Sequence, residues 1–173
     1  MTVEEILMGR VQPITPFLWF DDRAEETAEL YVSIFPGSKI LRTTRYGEAG
    51  HEIHGRRAGS VMTVEFELGG RTFTALNGGP AFRFNEAISF QVDCETQEDV
   101  DRYWQKLSEG GDAAAQQCGW LKDRFGVSWQ IVPTVLQDML AHPDAARSQR
   151  ATEAMLQMKK LDIAALQRAF DGH

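Results

Sequence analysis

The segment from Val61 to Asn77 leaves this chain few ways to fold. Met62, Val64, Phe66 and Leu68 fall on one face of an extended stretch, and Val61, Thr63, Glu65 and Glu67 on the other. Gly69-Gly70 supplies the two positive-φ positions of a tight turn, and Arg71 to Asn77 returns as the partner strand.

A strand and a helix come before it. Gln12 to Phe20 is apolar and extended, and Pro13 and Pro16 suit a strand start or a sheet edge. Asp22 followed by Glu25 reads as a capping box. Ala24, Ala28, Tyr31 and Phe35 then form a helical stripe that stops at Pro36-Gly37. Lys39 to Tyr46 returns as a strand, and Gly47 to Gly59 is polar and glycine-rich, the composition of a long flexible loop. Gly78-Gly79-Pro80 closes the first half, whose order is βαβββ.

The second half opens the same way. Ile88, Phe90 and Val92 alternate with Ser89, Gln91 and Asp93, and Thr96 caps a helix through Val100, Tyr103, Trp104 and Leu107 that ends at Gly110-Gly111. Short strands are expected from about Ala113 to Pro133. In the last, Ser128 and Gln130 share one face, with Trp129 and Ile131 on the other, so it has an apolar back and a polar front suited to lining a cleft. The order of elements therefore repeats, without residue-level similarity between the halves. Beyond Pro133 the pattern turns helical: Val135, Met139 and Leu140 in a short helix, a longer one opening at His142-Pro143-Asp144, and a last one capped by Asp162 and running Ile163 to Phe170. Residues 1–11 read as a leader.

Composition removes several classes. A net charge of -7 and an isoelectric point near 5.1 oppose a nucleic-acid backbone or an anionic membrane surface as partner. No apolar run approaches the ~20 residues of a membrane span. Acids in Met1-Thr2-Val3-Glu4-Glu5 oppose a signal peptide, so a cytoplasmic location is expected. Cys94 and Cys118 have no metal-type spacing and are expected as reduced thiols.

Phe17-Leu18-Trp19-Phe20, Asn77-Gly78-Gly79-Pro80, the segment from Cys118 to Pro133, and Met155 to Ile163 together resemble the vicinal oxygen chelate superfamily, which includes glyoxalase I, extradiol dioxygenases and bleomycin-resistance proteins. Within it they resemble the PhnB-like branch, often labelled 3-demethylubiquinone-9 3-methyltransferase. The resemblance covers nearly all of residues 12 to 170. It implies an α+β fold in which two βαβββ modules form a curled mixed sheet around a cleft, with helices outside. Residues 12–133 are then the paired modules and 134–173 a helical C-terminal extension of the same domain. A homodimer is implied as well, and the apolar Met155, Met158, Leu161 and Phe170 of the extension need covering, by a partner or by their own subunit.

Members of the superfamily usually hold a divalent metal through His, Glu or Gln. Carried onto this sequence, those positions fall near Thr15 or Pro16, at Asn77, near Ala87 or Ser89, and at Gln130. None is histidine, and two neutral amides with a hydroxyl form a poor site for zinc, nickel or iron. No cofactor is therefore expected, with a divalent metal as the disfavoured alternative. The expected ligand is a small, planar or aromatic molecule, held by Thr15, Phe17, Trp19, Asn77, Phe82, Ser89, Gln91, Trp120 and Gln130. Phe84 and Trp129 add to the aromatic content, and Arg83, in the linker between modules, is a candidate clamp for an anion.

The catalytic candidates are Glu65, which would point into a curled sheet, and Cys118, which lacks a sequence-adjacent base. His51 and His54 in the glycine-rich loop read as solvated, with a general base on a closing loop as the alternative. The methyltransferase label has no mechanism here, because the first strand-helix turn, Phe20-Asp21-Asp22-Arg23, has no glycine and the halves lack alternating β and α. The expected function is small-molecule binding by a metal-free cleft, as in sequestering bleomycin-resistance relatives. A metal-dependent lyase, isomerase or dioxygenase is one alternative, and an interaction protein with its cleft closed by the tail is another.

Overall fold

The structure is a computed structural model, and it describes residues 14–173; the leader and the start of the first strand at Gln12 and Pro13 lie outside the described residues. The chain forms two compact units that divide after Phe82.

The first unit runs β1 (Phe17–Phe20), α1 (Ala24–Ile34), β2 (Lys39–Arg45), α2 (His51–His54), β3 (Val61–Leu68) and β4 (Arg71–Asn77). Its sheet has the order β1-β4-β3-β2, parallel between β1 and β4 and antiparallel elsewhere. The β3-β4 hairpin turns at Gly69 and Gly70, both at positive φ, as the sequence predicts. Helix α1 packs on β3 and β4. Between them lie Leu18, Phe20, Ala28, Tyr31, Val64, Phe66, Phe73 and Ala75, all buried, which is the apolar face that the alternation of β3 demanded.

Two local expectations are corrected. Helix α1 is not capped by Asp22: Arg23 holds the N-cap position and makes no side-chain cap bond. The Oδ1 of Asn77, at the end of β4, accepts from the Ala24 N–H at 2.8 Å instead. The stretch expected as a plain loop from Gly47 to Gly59 contains the helical turn α2, bounded by Gly50 and Gly55 in the left-handed conformation.

The second unit runs β5 (Ser89–Cys94), α3 (Gln97–Ser108), a 3-10 turn (Ala113–Ala115), β6 (Trp120–Lys122), β7 (Ser128–Pro133), α4 (Thr134–Leu140), α5 (Ala145–Leu156) and α6 (Ile163–Asp171). Its sheet is three-stranded, in the order β5-β7-β6. Where a strand was expected after Ala113 the chain makes the 3-10 turn, since an alanine run has little tendency to extend. Strand pairing gives one mixed sheet in each unit, the α+β architecture expected. Thr96 and Asp162 cap α3 and α6 as predicted, accepting from the N–H groups of Asp99 and Ala165.

The C-terminal helices pack on their own chain. Val132, Leu136, Met139, Ala151, Leu161, Leu166 and Phe170 form one buried cluster, with Met155 and Met158 against it. The apolar surface that had suggested a partner is therefore covered internally. The cluster is tied to the sheet by backbone bonds, Cys118 N–H to Met158 O and Gly119 N–H to Lys159 O, both 2.8 Å.

Candidate functional site

Each sheet has a helix-covered face and an opposite face, and strand register decides which residues share them. In the first unit the face away from α1 carries two rows across the strands. One is Phe17, Thr74, Glu65 and Arg42; the other is Trp19, Leu76, Thr63 and Thr44. Phe17 is 62% exposed, and Phe82 stands edge-on to Trp19 with ring centroids 4.9 Å apart. Glu65 lies on this face, but Arg42 holds its Oε2 at 2.7 Å, and the hydroxyls of Thr44 and Thr63 pair at 2.6 Å. Thr15 is exposed ahead of β1.

Asn77 lies on the opposite, helix-covered side, in line with Phe73 and Ala75. Besides capping α1, it donates from Nδ2 to Val61 O at 3.1 Å, and its carbonyl accepts from the Tyr46 hydroxyl at 2.7 Å. Its amide is committed to holding helix and sheet together. The glycine that follows, Gly78, makes room for an indole. A Cβ on Gly78 would sit 2.3 Å from the Trp19 ring, and the Trp19 indole N–H donates to Gly79 O at 2.8 Å. Gly78 and the Gly79 carbonyl therefore seat Trp19. A cavity of about 220 Å³ nearby is lined by Asp22, Glu25, Arg56, Ser60, Val61 and Asn77, three of them charged.

In the second unit the polar front of β7 is in place. Ser89 pairs with Ser128 and Ser128 with Lys122; Gln91 pairs with Gln130 and Gln130 with Trp120. Four of the predicted ligand-binding residues, Ser89, Gln91, Trp120 and Gln130, thus share one sheet face. The Gln130 amide donates to Ser89 Oγ at 2.8 Å, and Gln91 to Asp93 Oδ1 at 2.7 Å. Val132, next on this face, joins the C-terminal cluster and closes that end. On the other face Phe90, Leu121, Trp129 and Ile131 back onto α3.

Two features of this face emerge only in the folded chain. Ser128 is 2% exposed, and its hydroxyl has no hydrogen-bond partner among the described residues. Lys122 binds the carboxylate of Glu86, which comes from the segment preceding β5, and the ammonium holds the Glu86 carboxyl below its ordinary range. The alternation of β7 flags Ser128 as front-facing, but nothing local reports its missing partner. The turn behind the face is organised by Asp123, 3% exposed, whose carboxylate accepts from Phe125 N–H, Val127 N–H and the Trp129 indole N–H at 2.9 to 3.0 Å.

The remaining candidates are dispersed. Cys118 sits at φ 51° where its N–H binds Met158 O. Cys94 is buried, and desolvation, followed by Asp99 and Asp93, pushes its thiol up to about 11. His54 accepts from Arg56 N–H through Nδ1 at 2.9 Å, so its Nε2 carries the proton toward Ala49 O, 3.2 Å away. Both of its nitrogens are occupied, and His51 stacks on it at 6.2 Å. Among the described residues no group of three or more His, Cys, Asp and Glu is placed to hold a metal ion. Of the positions the metal-binding resemblance points to, Asn77 is engaged with α1, and Thr15, Ser89 and Gln130 offer no imidazole, thiolate or carboxylate. The residues present do not fit a superfamily metal.

Three comparisons place the chain. A family model described as 3-demethylubiquinone-9 3-methyltransferase matches residues 12–132. A PhnB protein from Bacillus cereus, carrying that same description, is 34% identical, with 71% of this chain and 100% of that one covered and a TM-score of 0.62. Protein PA1353 from Pseudomonas aeruginosa shares the fold at 20% identity, covering 70% of this chain and 97% of its own, with a TM-score of 0.54. No curated protein matches. The chain belongs to the 3-demethylubiquinone-9 3-methyltransferase family, as a PhnB-like member.

Proposed function

We propose that this chain binds a small planar molecule on the polar face of its second sheet, without a metal. One observation carries the reading: Ser89, Gln91, Trp120 and Gln130 lie on one face of three paired strands. An indole offers a flat apolar contact, and two amides with a hydroxyl orient a ligand through hydrogen bonds, the mixture that small-molecule sites use. Methyl transfer finds no support in either sheet, since both mix parallel and antiparallel strands and neither follows a glycine-rich strand-helix turn. The family resemblance supports a homodimer. Two thiols without a disulfide suit a cytoplasmic location, and no described helix is long and apolar enough to cross a membrane.

The test is a titration with cinnamamide, neutral and planar, against its saturated cyclohexyl counterpart, followed by amide NMR shifts and calorimetry. Cinnamamide is expected to move the signals of residues 89–91 and 128–130, and Gln130→Ala is expected to weaken binding about fivefold, the loss of one hydrogen bond. Equal binding of the saturated compound, or shifts confined elsewhere, defeats the reading. So does a stoichiometric zinc, nickel, manganese or iron that disappears in Gln130→Ala.

A further inference from the structure

We propose that Ser89, Ser128 and Lys122 form a carboxylate subsite at the edge of this face, whose lysine is held by the Glu86 side chain until a ligand carboxylate replaces it. The inference rests on the reading of the face given above and adds the chemical class of the ligand: an aromatic carboxylate.

Three donors line up across the three strands, Ser89 on β5, Ser128 on β7 and Lys122 on β6. Directly paired residues on one face have Cβ atoms about 5 Å apart, so a single acceptor group placed over the central Ser128 is near both neighbours. Ser89 already accepts the Gln130 amide hydrogen, which leaves its own hydroxyl hydrogen to point elsewhere. Ser128 is shut off from solvent with its hydroxyl unpaired among the described residues. Buried hydroxyls normally have partners, and one that lacks them asks for an explanation. Lys122 is folded against the protein, its side chain 22% exposed, and is neutralised by Glu86.

Glu86 behaves as a stand-in. It belongs to the segment between Phe82 and Ser89, which has no regular structure, and its side chain is 62% exposed. An ion pair with so exposed a partner stabilises little, so the carboxylate exchanges readily. The row of Gln91, Gln130 and Trp120 lies two residues further along the strands, about 7 Å away. A ligand whose ring sits on that row and whose carboxylate reaches Lys122 needs a short spacer between ring and acid, as in cinnamate.

The experiment is calorimetry of the full chain with cinnamate and with cinnamamide, which differ in charge and little in shape. Cinnamate is expected to bind about tenfold or more tightly than the amide, the usual gain from a charge-assisted bond. Lys122→Gln should erase that difference. Glu86→Gln, by removing the internal competitor, should tighten cinnamate several-fold and leave cinnamamide unchanged. Ser128→Ala should weaken cinnamate while leaving the melting temperature equal or higher, because it removes an unpaired buried hydroxyl; a purely structural serine would not separate the two readouts. If cinnamamide binds and depends on Gln130 but cinnamate gains nothing from Lys122, the subsite is wrong and the face reading stands. If neither binds, both fall. Inorganic phosphate binding more tightly than cinnamate through Lys122 overturns the carboxylate assignment.

Discussion

Each unit is fastened by one buried polar side chain, and the two do it differently. In the first unit, Asn77 joins elements distant in sequence: it ties the first turn of α1 to β4 and, through Val61 O, to the start of β3. An amide suits this place because it must donate and accept at once. In the second unit, Asp123 serves a turn: its two oxygens take three N–H groups within six residues, including the indole of Trp129. A carboxylate suits that place because every partner is a donor. The first unit is thus pinned across its helix-sheet junction, and the second across the hairpin that carries the candidate site.

The strongest way to break this contrast is Asp123→Ala. It leaves three donors behind a buried strand and is expected to cost above about 3 kcal/mol, read from urea unfolding. Loss confined to the amide signals of residues 120–131 would show that the hairpin is held locally. Asn77→Ala is next, at about 1–3 kcal/mol, because Ala24 N–H and Val61 O lose their partner. Hydrogen exchange should then rise at the start of α1 and leave Asp123's hairpin untouched. Thr96→Ala removes an ordinary helix cap and should cost about 1 kcal/mol by the same unfolding assay.

Acid sharpens the comparison further. Four carboxyls of the second unit, Glu86, Asp101, Asp144 and Asp171, are held below their ordinary values. Their causes are, in order of those residues, the Lys122 bond, the Lys160 bond, the backbone N–H of Arg147 and the side chain of Gln167. A group depressed in the folded state contributes fully above its ordinary value, 4.5 for Glu86 and 3.8 for the three aspartates. That contribution is lost as pH falls through the folded value. Residue-resolved unfolding at pH 5 and pH 3 should therefore show the second unit weakening as these four contributions are lost. The smallest effect concerns thiols. With Cys94 raised to about 11 and buried, iodoacetamide at pH 8 is expected to label Cys118 well before Cys94, as peptide mass spectrometry would show.

The sequence made much of this legible wherever the signal was local. The alternation from Val61 to Leu68, the Gly69-Gly70 turn and the Thr96 and Asp162 caps are each decided within a few residues. The Asp22-Glu25 box misled because the actual cap on Ala24 comes from Asn77, 53 positions beyond Ala24, and no local pattern reports a partner that distant. The placement of Asn77 was nevertheless readable: counting by twos from Phe73 puts it on the helix-covered face. The grouping of Ser89, Gln91 and Gln130 followed from the same counting. The Lys122 to Glu86 pair joins positions 36 apart through an irregular segment, and only the folded arrangement brings them together.

The backbone bonds from Cys118 and Gly119 to Met158 and Lys159 set an order on synthesis as well as on structure. The first unit has all its strands once Asn77 is made. The second cannot close its hairpin against the C-terminal cluster until residues about forty positions later have left the ribosome. At about 5–20 residues per second the polar face waits several seconds without its final support. During that interval the apolar residues of β7 and α4, among them Val132, Leu136 and Met139, lack the partners that later cover them. The nascent second unit is therefore where a chaperone would find its grip.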